Sequence, residues 1–440
     1  MTAPIGKPHT LVTWAHWAAT AQAGWNSSQA RLLLADSVLA MHAGARTTEG
    51  RELHAWICRH DPTWLGQACA DAAVMRLSEV DPIHRASAVT PSPMTLPVAL
   101  AHIRHHGHVN EQVLMQAMCV GQELAIRLAM ALGGAKQLLH GVWPSYVVAP
   151  LAAAATIGRL RGLSPQRMQH ALALAIASAS RHPGRPVGER SGRWMLFAQA
   201  VRAGAWCAMA AEEGIEGDVG LLSESWLEAM APGPSDAAWL SHNLDDTLQL
   251  SQISFKPHCS AKQGLTAIDG LQQMLAQVDF MPEDVSRVEL GVPKAYANML
   301  DREPGWTSRL ASMVSAPWQL ALTALAPTEL DRVERELSSP DIALKSWAAK
   351  VSVHHDESLE AYYPAQWPVR LRVHAAGRVH EKLILDSPGD PTLGWTDAQM
   401  LDKAKRMLQH PSDLMRVQQA LRLGDDPQAL IDVFTPYEKS

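Results

Sequence analysis

Apolar residues recur three and four positions apart through most of residues 28 to 230. In SSQARLLLADSVLAMHAG they follow a polar start and run to Gly44, and in NEQVLMQAMCVGQELAIRLAMALGG they continue to Gly133 and Gly134. Each stretch therefore predicts a buried or half-buried helix. LSPQRMQHALALAIASAS carries an explicit start signal: Ser164 can cap the first backbone amides, and Pro165 suits the first helical position because it has no N–H to leave unpaired. GRWMLFAQAVRAGAWCAMAAEEG adds an alanine-rich helix ending near Gly214, whose small side chains permit close packing. No fixed period of about 30 to 45 residues restores the same residue types, which argues against a solenoid.

After residue 254 the period changes. DVSRVELGVPKAY alternates like a strand near residues 285 to 292, and KVSVHHD offers another at 350 to 356. WPVRLRVHAAGRVHEKLILDSPG reads as two strands joined at Ala376 and Gly377. SAPWQLALTALAP (315 to 327) and IALKSWAAK (342 to 350) read as intervening helices, and TDAQMLDKAKRMLQH and LMRVQQALRLG return the tail to helix. The expected fold is mainly α: a large all-helical domain over residues 1–254, completed by 401–440, and a smaller α+β lid domain with an antiparallel sheet over 255–400.

At 440 residues the chain exceeds what one hydrophobic core usually supports, which agrees with two domains. Its 38 Lys plus Arg against 44 Asp plus Glu leave a net charge of -6 with no basic tract, so nucleic acid is not an expected partner. The five cysteines are odd in number and form no CxxC pair, which fits reduced thiols in the cytoplasm. The N-terminus lacks a signal-peptide apolar core, and no run reaches the roughly 18 to 20 uninterrupted apolar residues of a membrane span.

The sequence contains no GxGxxG after a strand, no P-loop, no HExxH and no GxSxG, so nucleotide, nicotinamide and serine-hydrolase chemistries have no support. His102, His105, His106 and His108 in AHIRHHGHVNE lack the cysteines or helical spacing of a metal site and read as a solvated helix end; no metal is expected. In SRHPGRPVGERSGR, Arg181, Arg185, Arg190 and Arg193 supply fixed positive charge suited to carboxylates. Arg193 stands out because it opens a buried-looking helix. In SEVDPIHRASAVTPSP, Asp81 and His84 offer a carboxylate and an imidazole for proton relay. In SFKPHCSAKQGLTAIDG, Lys256 and Lys262 suit an anion, while His258 and Cys259 are candidate acid or base groups.

Together these segments resemble the MmgE/PrpD family, which includes 2-methylcitrate dehydratase, cis-aconitate decarboxylase and iminodisuccinate epimerase. LLLADSVLAMHAG, CVGQELAIRLAMALG, GRLRGLSPQRMQHALALAIASAS, FAQAVRAGAWCAMAAEEGIEG, FKPHCSAKQGLTAIDG and MVSAPWQLALTAL resemble family segments in the family's order. The resemblance implies a homodimer with a polar pocket between its domains, used without metal or organic cofactor to move protons beside carboxylates. Asp81 matches a family aspartate, while Arg76 stands where a histidine would fall and Pro82 where a second aspartate would. Thr90, followed by Pro91, falls near a family histidine, and Trp143 replaces another. Arg193 replaces a lysine and Leu196 a histidine; Lys256 and Pro257 are retained, Lys262 replaces an arginine, and Leu265 falls on a histidine.

Leucine cannot exchange a proton at any pKa, nor can tryptophan serve as an ordinary acid or base. The implied chemistry is therefore that of a divergent lyase or isomerase acting on a small carboxylate-bearing metabolite. In this reading Asp81 or His84 handles the proton, Arg193 and Lys262 hold the carboxylate or enolate charge, and Lys256 shapes the site. The other reading is a noncatalytic homologue that keeps the fold and loses the chemistry.

Overall fold

A computed structural model describes residues 10–22, 28–107, 109–180, 192–241, 244, 248–277, 280–302, 308–335 and 342–422. The first part of the chain runs through α1 (Thr10–Thr20), α2 (Ser28–Arg46), α3 (Thr48–His60), α4 (Trp64–Leu77), the short strand β1 (Ile83–His84) and α5 (Ser92–His106). It continues through α6 (Glu111–Ala131), α7 (Pro144–Leu160), α8 (Pro165–Ala177), α9 (Gly192–Glu212), α10 (Glu224–Met230), α11 (Ala238–Ser241) and β2 (Ile253–Ser254). Ser164 caps α8 as the sequence predicts, accepting from the Arg167 amide with Pro165 next in the chain.

The helix α7 packs against both α6 and α9, and the approach is close enough to require glycine. A Cβ at Gly121 would stand 2.2 Å from Thr156 Oγ1, and one at Gly204 would stand 2.0 Å from the Pro150 carbonyl oxygen. A larger residue at either position forces two helix backbones apart. Among the described residues α6 is the one helix long and apolar enough to cross a membrane, and 89% of its apolar window is buried against neighbouring protein.

The second part contains α12 (Lys262–Gln277), β3 (Val285–Val292), α13 (Lys294–Leu300), α14 (Arg309–Val314), α15 (Ala316–Leu325), α16 (Ile342–Ala348), β4 (Val351–His355), β5 (Val369–Ala375) and β6 (Arg378–Ile384). The sheet order is β4-β3-β5-β6. β3 pairs antiparallel with β5, and β5 with β6, but β3 pairs parallel with β4. The expected antiparallel sheet is thus a mixed one: α13 to α16 form a long crossover between β3 and β4, which is what a parallel pair requires. The β5–β6 hairpin turns at Ala376 and Gly377, both with positive φ, the backbone hand that matches strand twist. Val369, Leu371, Val373 and Ala375 bury one face of β5 while Arg370 and Arg372 occupy the other.

The apolar residues form two cores. Met400, Ala404 and Met407 of α17 (Asp397–Met407), with Val417, Ala420 and Leu421 of α18 (Pro411–Leu421), join the core of the first helices rather than that of the sheet. Asp413 anchors α18 to α2 through His42 at 3.2 Å and Arg46 at 2.9 Å. The cores also interlock. Leu310, Met313 and Val333 belong to the helical one, and Ile83, Ala88 and Ala135 to that of the sheet.

Candidate active site

The helix α4 ends at Leu77, and the next residues carry charge into the boundary between the cores. Glu79 adopts φ 59°, the left-handed conformation that usually falls to glycine past a helix end. Four residues later β1 begins and pairs antiparallel with β2, Ile83 opposite Ser254. This short ladder draws the residues after β2 alongside those before β1, so Lys256 meets Glu79 and Asp81 despite the distance in sequence. Lys256 Nζ donates to the Glu79 carbonyl at 3.0 Å and lies 3.5 Å from Glu79 Oε2 and 3.4 Å from Asp81 Oδ1.

Arg76, in the last turn of α4, completes the cluster, with Nη1 3.3 Å from both Glu79 Oε1 and Asp81 Oδ1. Arg193, from the first turn of α9, reaches Glu79 Oε1 at 3.3 Å. Burial opposes ionisation of Glu79, but Arg76, Lys256 and Arg193 outweigh it and bring the carboxyl down to about 2. The Arg193 guanidinium lies 3.8 Å from the centre of the Trp194 ring and 5.9 Å from that of Trp143. Burial lowers its pKa, and the charge of Glu79 opposes that shift.

These residues wall a cavity of about 30 Å³. Arg76, Glu79, Arg193, Lys256, Lys262 and Arg302 are its charged lining, with Thr90 and Trp143 beside them. Among the described residues, the lining thus places five cationic side chains around a single carboxylate. Lys262 opens α12 and is secured from behind: its Nζ lies 2.7 Å from Asp390 Oδ1 and donates to Ser387 Oγ at 2.8 Å. Asp390 also receives Arg85 at 3.2 Å and the Ser254 hydroxyl at 2.6 Å. The Thr90 hydroxyl is buried and has no hydrogen-bond partner among the described residues.

The expected site residues divide on this geometry. Arg193, Lys256, Lys262, Thr90 and Trp143 face the cavity. Asp81 is fully buried one layer behind it, held by Arg76 and Lys256. His84 forms no hydrogen bond with Asp81; its Nδ1 faces the Ser87 hydroxyl at 2.8 Å, and burial beside Arg85 lowers its pKa to about 3. The relay expected from Asp81 and His84 is therefore not assembled here, because alternation along β1 turns His84 away. His258 pairs with Asp331 at 2.7 Å, and Asp331 also binds Arg406. The Cys259 thiol donates to the Ser78 carbonyl at 3.4 Å, and burial raises its pKa. Neither His258 nor Cys259 lines the cavity.

Arg181, Arg185, Arg190 and His108 lie outside the described residues. His106 lies between His102, tilted against it at 4.5 Å, and His105, edge-on to it at 4.7 Å; His102 is buried rather than solvated and meets Trp64 edge-on. Glu79 is the group that sequence reasoning missed. In RLSEVDP it falls between a helix end and an Asp-Pro turn, where periodicity has no hold, and its importance comes from cations brought in by α9 and the segment after β2.

Residues 16–235 match the family model of the MmgE/PrpD N-terminal domain, and residues 258–423 match that of the MmgE/PrpD C-terminal domain. No curated protein matches the chain. The two matches lie in order and span most of the sequence, so the chain belongs to the MmgE/PrpD family.

Proposed function

We propose that this protein is a lyase or isomerase that moves a proton beside the carboxylate of a small metabolite. Glu79 transfers the proton, and Arg193 and Lys256 hold the substrate's charge. The observation that carries this reading is Glu79, the one carboxylate among the described residues that line the cavity, gripped by Arg76, Arg193 and Lys256. A lining with excess cationic charge selects an anion, and Glu79 occupies the position that a substrate carboxylate would take.

Substrate entry then changes the base. A carboxylate that displaces Glu79 from Arg193 and Lys256 neutralises two of the three cations that lower its pKa, leaving Arg76, so Glu79 moves up toward the ordinary carboxylate range and accepts a proton more readily. The same two cations face the negative charge that develops on the substrate, a contribution on the order of 3 kcal/mol to the barrier. Elimination, decarboxylation and epimerisation all pass through such charge. The cavity of about 30 Å³ holds one or two waters, so a metabolite enters only when the lining side chains swing or the two cores part. The proposal extends to a cytoplasmic homodimer working without metal or organic cofactor.

One observation favours a second reading, anion binding without turnover: among the described residues, the cavity lining contains no imidazole and no thiol. Both are tested by incubating the protein in deuterated water with a panel of unsaturated, hydroxy and imino carboxylates. Deuterium gained beside the carboxylate, and lost in Glu79→Gln, supports proton transfer. Binding without exchange selects the second reading, and no binding across the panel overturns both.

A further inference from the structure

Away from that cavity, two adjacent helices place three reactive groups in series. His54 and Cys58 are four residues apart on α3 and share one face, while Gln67 and Asp71 are four apart on the neighbouring α4. His54 Nε2 lies 3.2 Å from Asp71 Oδ1, and Cys58 Sγ lies 3.8 Å from His54 Nδ1. Asp71 is buried, and its second oxygen receives Arg104 of α5 at 3.1 Å. Cys58 borders a recess of about 360 Å³, together with Asp61, Trp64, Gln67, Arg104 and His105. This space is an order of magnitude larger than the cavity at Glu79.

We propose that Cys58 is a nucleophile, set beside a His54 ring that Asp71 orients, and that this recess is a site of covalent modification by small electrophiles, hydroperoxides first among them. The arrangement is that of an activated nucleophile: a thiol, a ring nitrogen within reach, and a buried carboxylate fixing the ring. Sulfur attacks one oxygen of the hydroperoxide, the S–O bond forms as the O–O bond breaks, and the departing oxygen takes its proton from His54. Cysteine thiolate is oxidised to sulfenic acid while the hydroperoxide is reduced to an alcohol or water.

The electrostatic surroundings hold the pair together. Burial disfavours the imidazolium, but Asp71 and Cys58 outweigh it and raise His54 to about 10. The other charged groups around the recess are Arg104 and His105 on α5 and Asp61, which is itself paired with Arg202 of α9 at 3.1 Å. The remaining cysteines differ. Cys69, Cys119, Cys207 and Cys259 are buried, and burial pushes each thiol up, Cys69 to about 12. Low reactivity follows for these four.

The test is pulsed iodoacetamide labelling of the whole protein across pH, with mass spectrometry of each cysteine, followed by hydrogen peroxide and dimedone trapping. Expected are a Cys58 labelling rate at least roughly tenfold above that of any other cysteine at about pH 6, and a dimedone adduct at Cys58 alone. His54→Asn slows Cys58 labelling at about pH 6 by roughly tenfold, and Cys58→Ser abolishes the adduct. A wild-type Cys58 that labels no faster than the other cysteines at about pH 6 overturns the proposal, as does a peroxide-treated protein without a Cys58 adduct. Because the wild-type profile decides alone, a variant that fails to fold does not rescue it.

Discussion

Glu79 Oε1 lies 3.3 Å from Arg193 Nη2, a bridge between the end of α4 and the start of α9. It fills a cationic cavity with the protein's own carboxylate. Replacing Glu79 by Gln removes both this internal competitor and the proposed base. Turnover is expected to fall by roughly 10²-fold or more, while malonate or citrate binds tighter by calorimetry. A variant that turns over normally would assign Glu79 to the scaffold alone.

Glu79 and His84 both contribute to acid stability, with the same sign. Glu79 is held at about 2 against an ordinary 4.5, so its contribution is present above about pH 4.5 and is lost as pH falls toward 2. The shift corresponds to roughly 3 kcal/mol. His84 is held neutral, at about 3 against 6.5; the unfolded chain binds the proton first, and stability declines as pH falls from about 6.5 to 3. Urea unfolding as a function of pH should therefore show loss beginning near pH 6.5. In His84→Asn the upper part of that decline should flatten.

Lys262 and Asp390 are both 1% exposed and lie 2.7 Å apart, so each is costly without the other. Lys262→Met is expected to destabilise the fold by roughly 3 kcal/mol in chemical denaturation. Lys262→Met combined with Asp390→Asn should recover most of the loss, since Arg85 keeps Asp386 as a partner. Equal losses in the single and double variants would refute the coupling.

Trp143 caps the cavity beside Arg193. Shortening it to Ala opens volume without removing a cation, so the KM for bulkier carboxylates should drop relative to that for small ones. A uniform rise in KM across the panel would instead mean that Trp143 supports Arg193 through its ring.

Much of the architecture was legible because it is local. Ser164 and Pro165 announce the start of α8, and alternation at 369–375 gives the buried face of β5. The parallel partner of β3 was not legible, because alternation reports which face of a strand is buried and says nothing about which strand lies beside it. Within the site, Arg193, Lys256 and Lys262 drew attention as cations with an unusual place in the pattern. Glu79 did not, and His258 was misplaced for the converse reason: Lys256, two residues before it, faces the cavity while its own ring turns to Asp331.

The sequence by itself determined the helical periods, the change to strands after residue 254 and a surplus of cations near the domain boundary, since each depends on residue type and spacing along the chain. Tertiary structure alone decided that Glu79 is the carboxylate those cations hold, and that Asp71, His54 and Cys58 stand in line. Both outcomes depend on distances between separate elements, and the energy of a charge or a hydrogen bond is set by what lies within a few ångströms in space, however far apart the residues are in the chain.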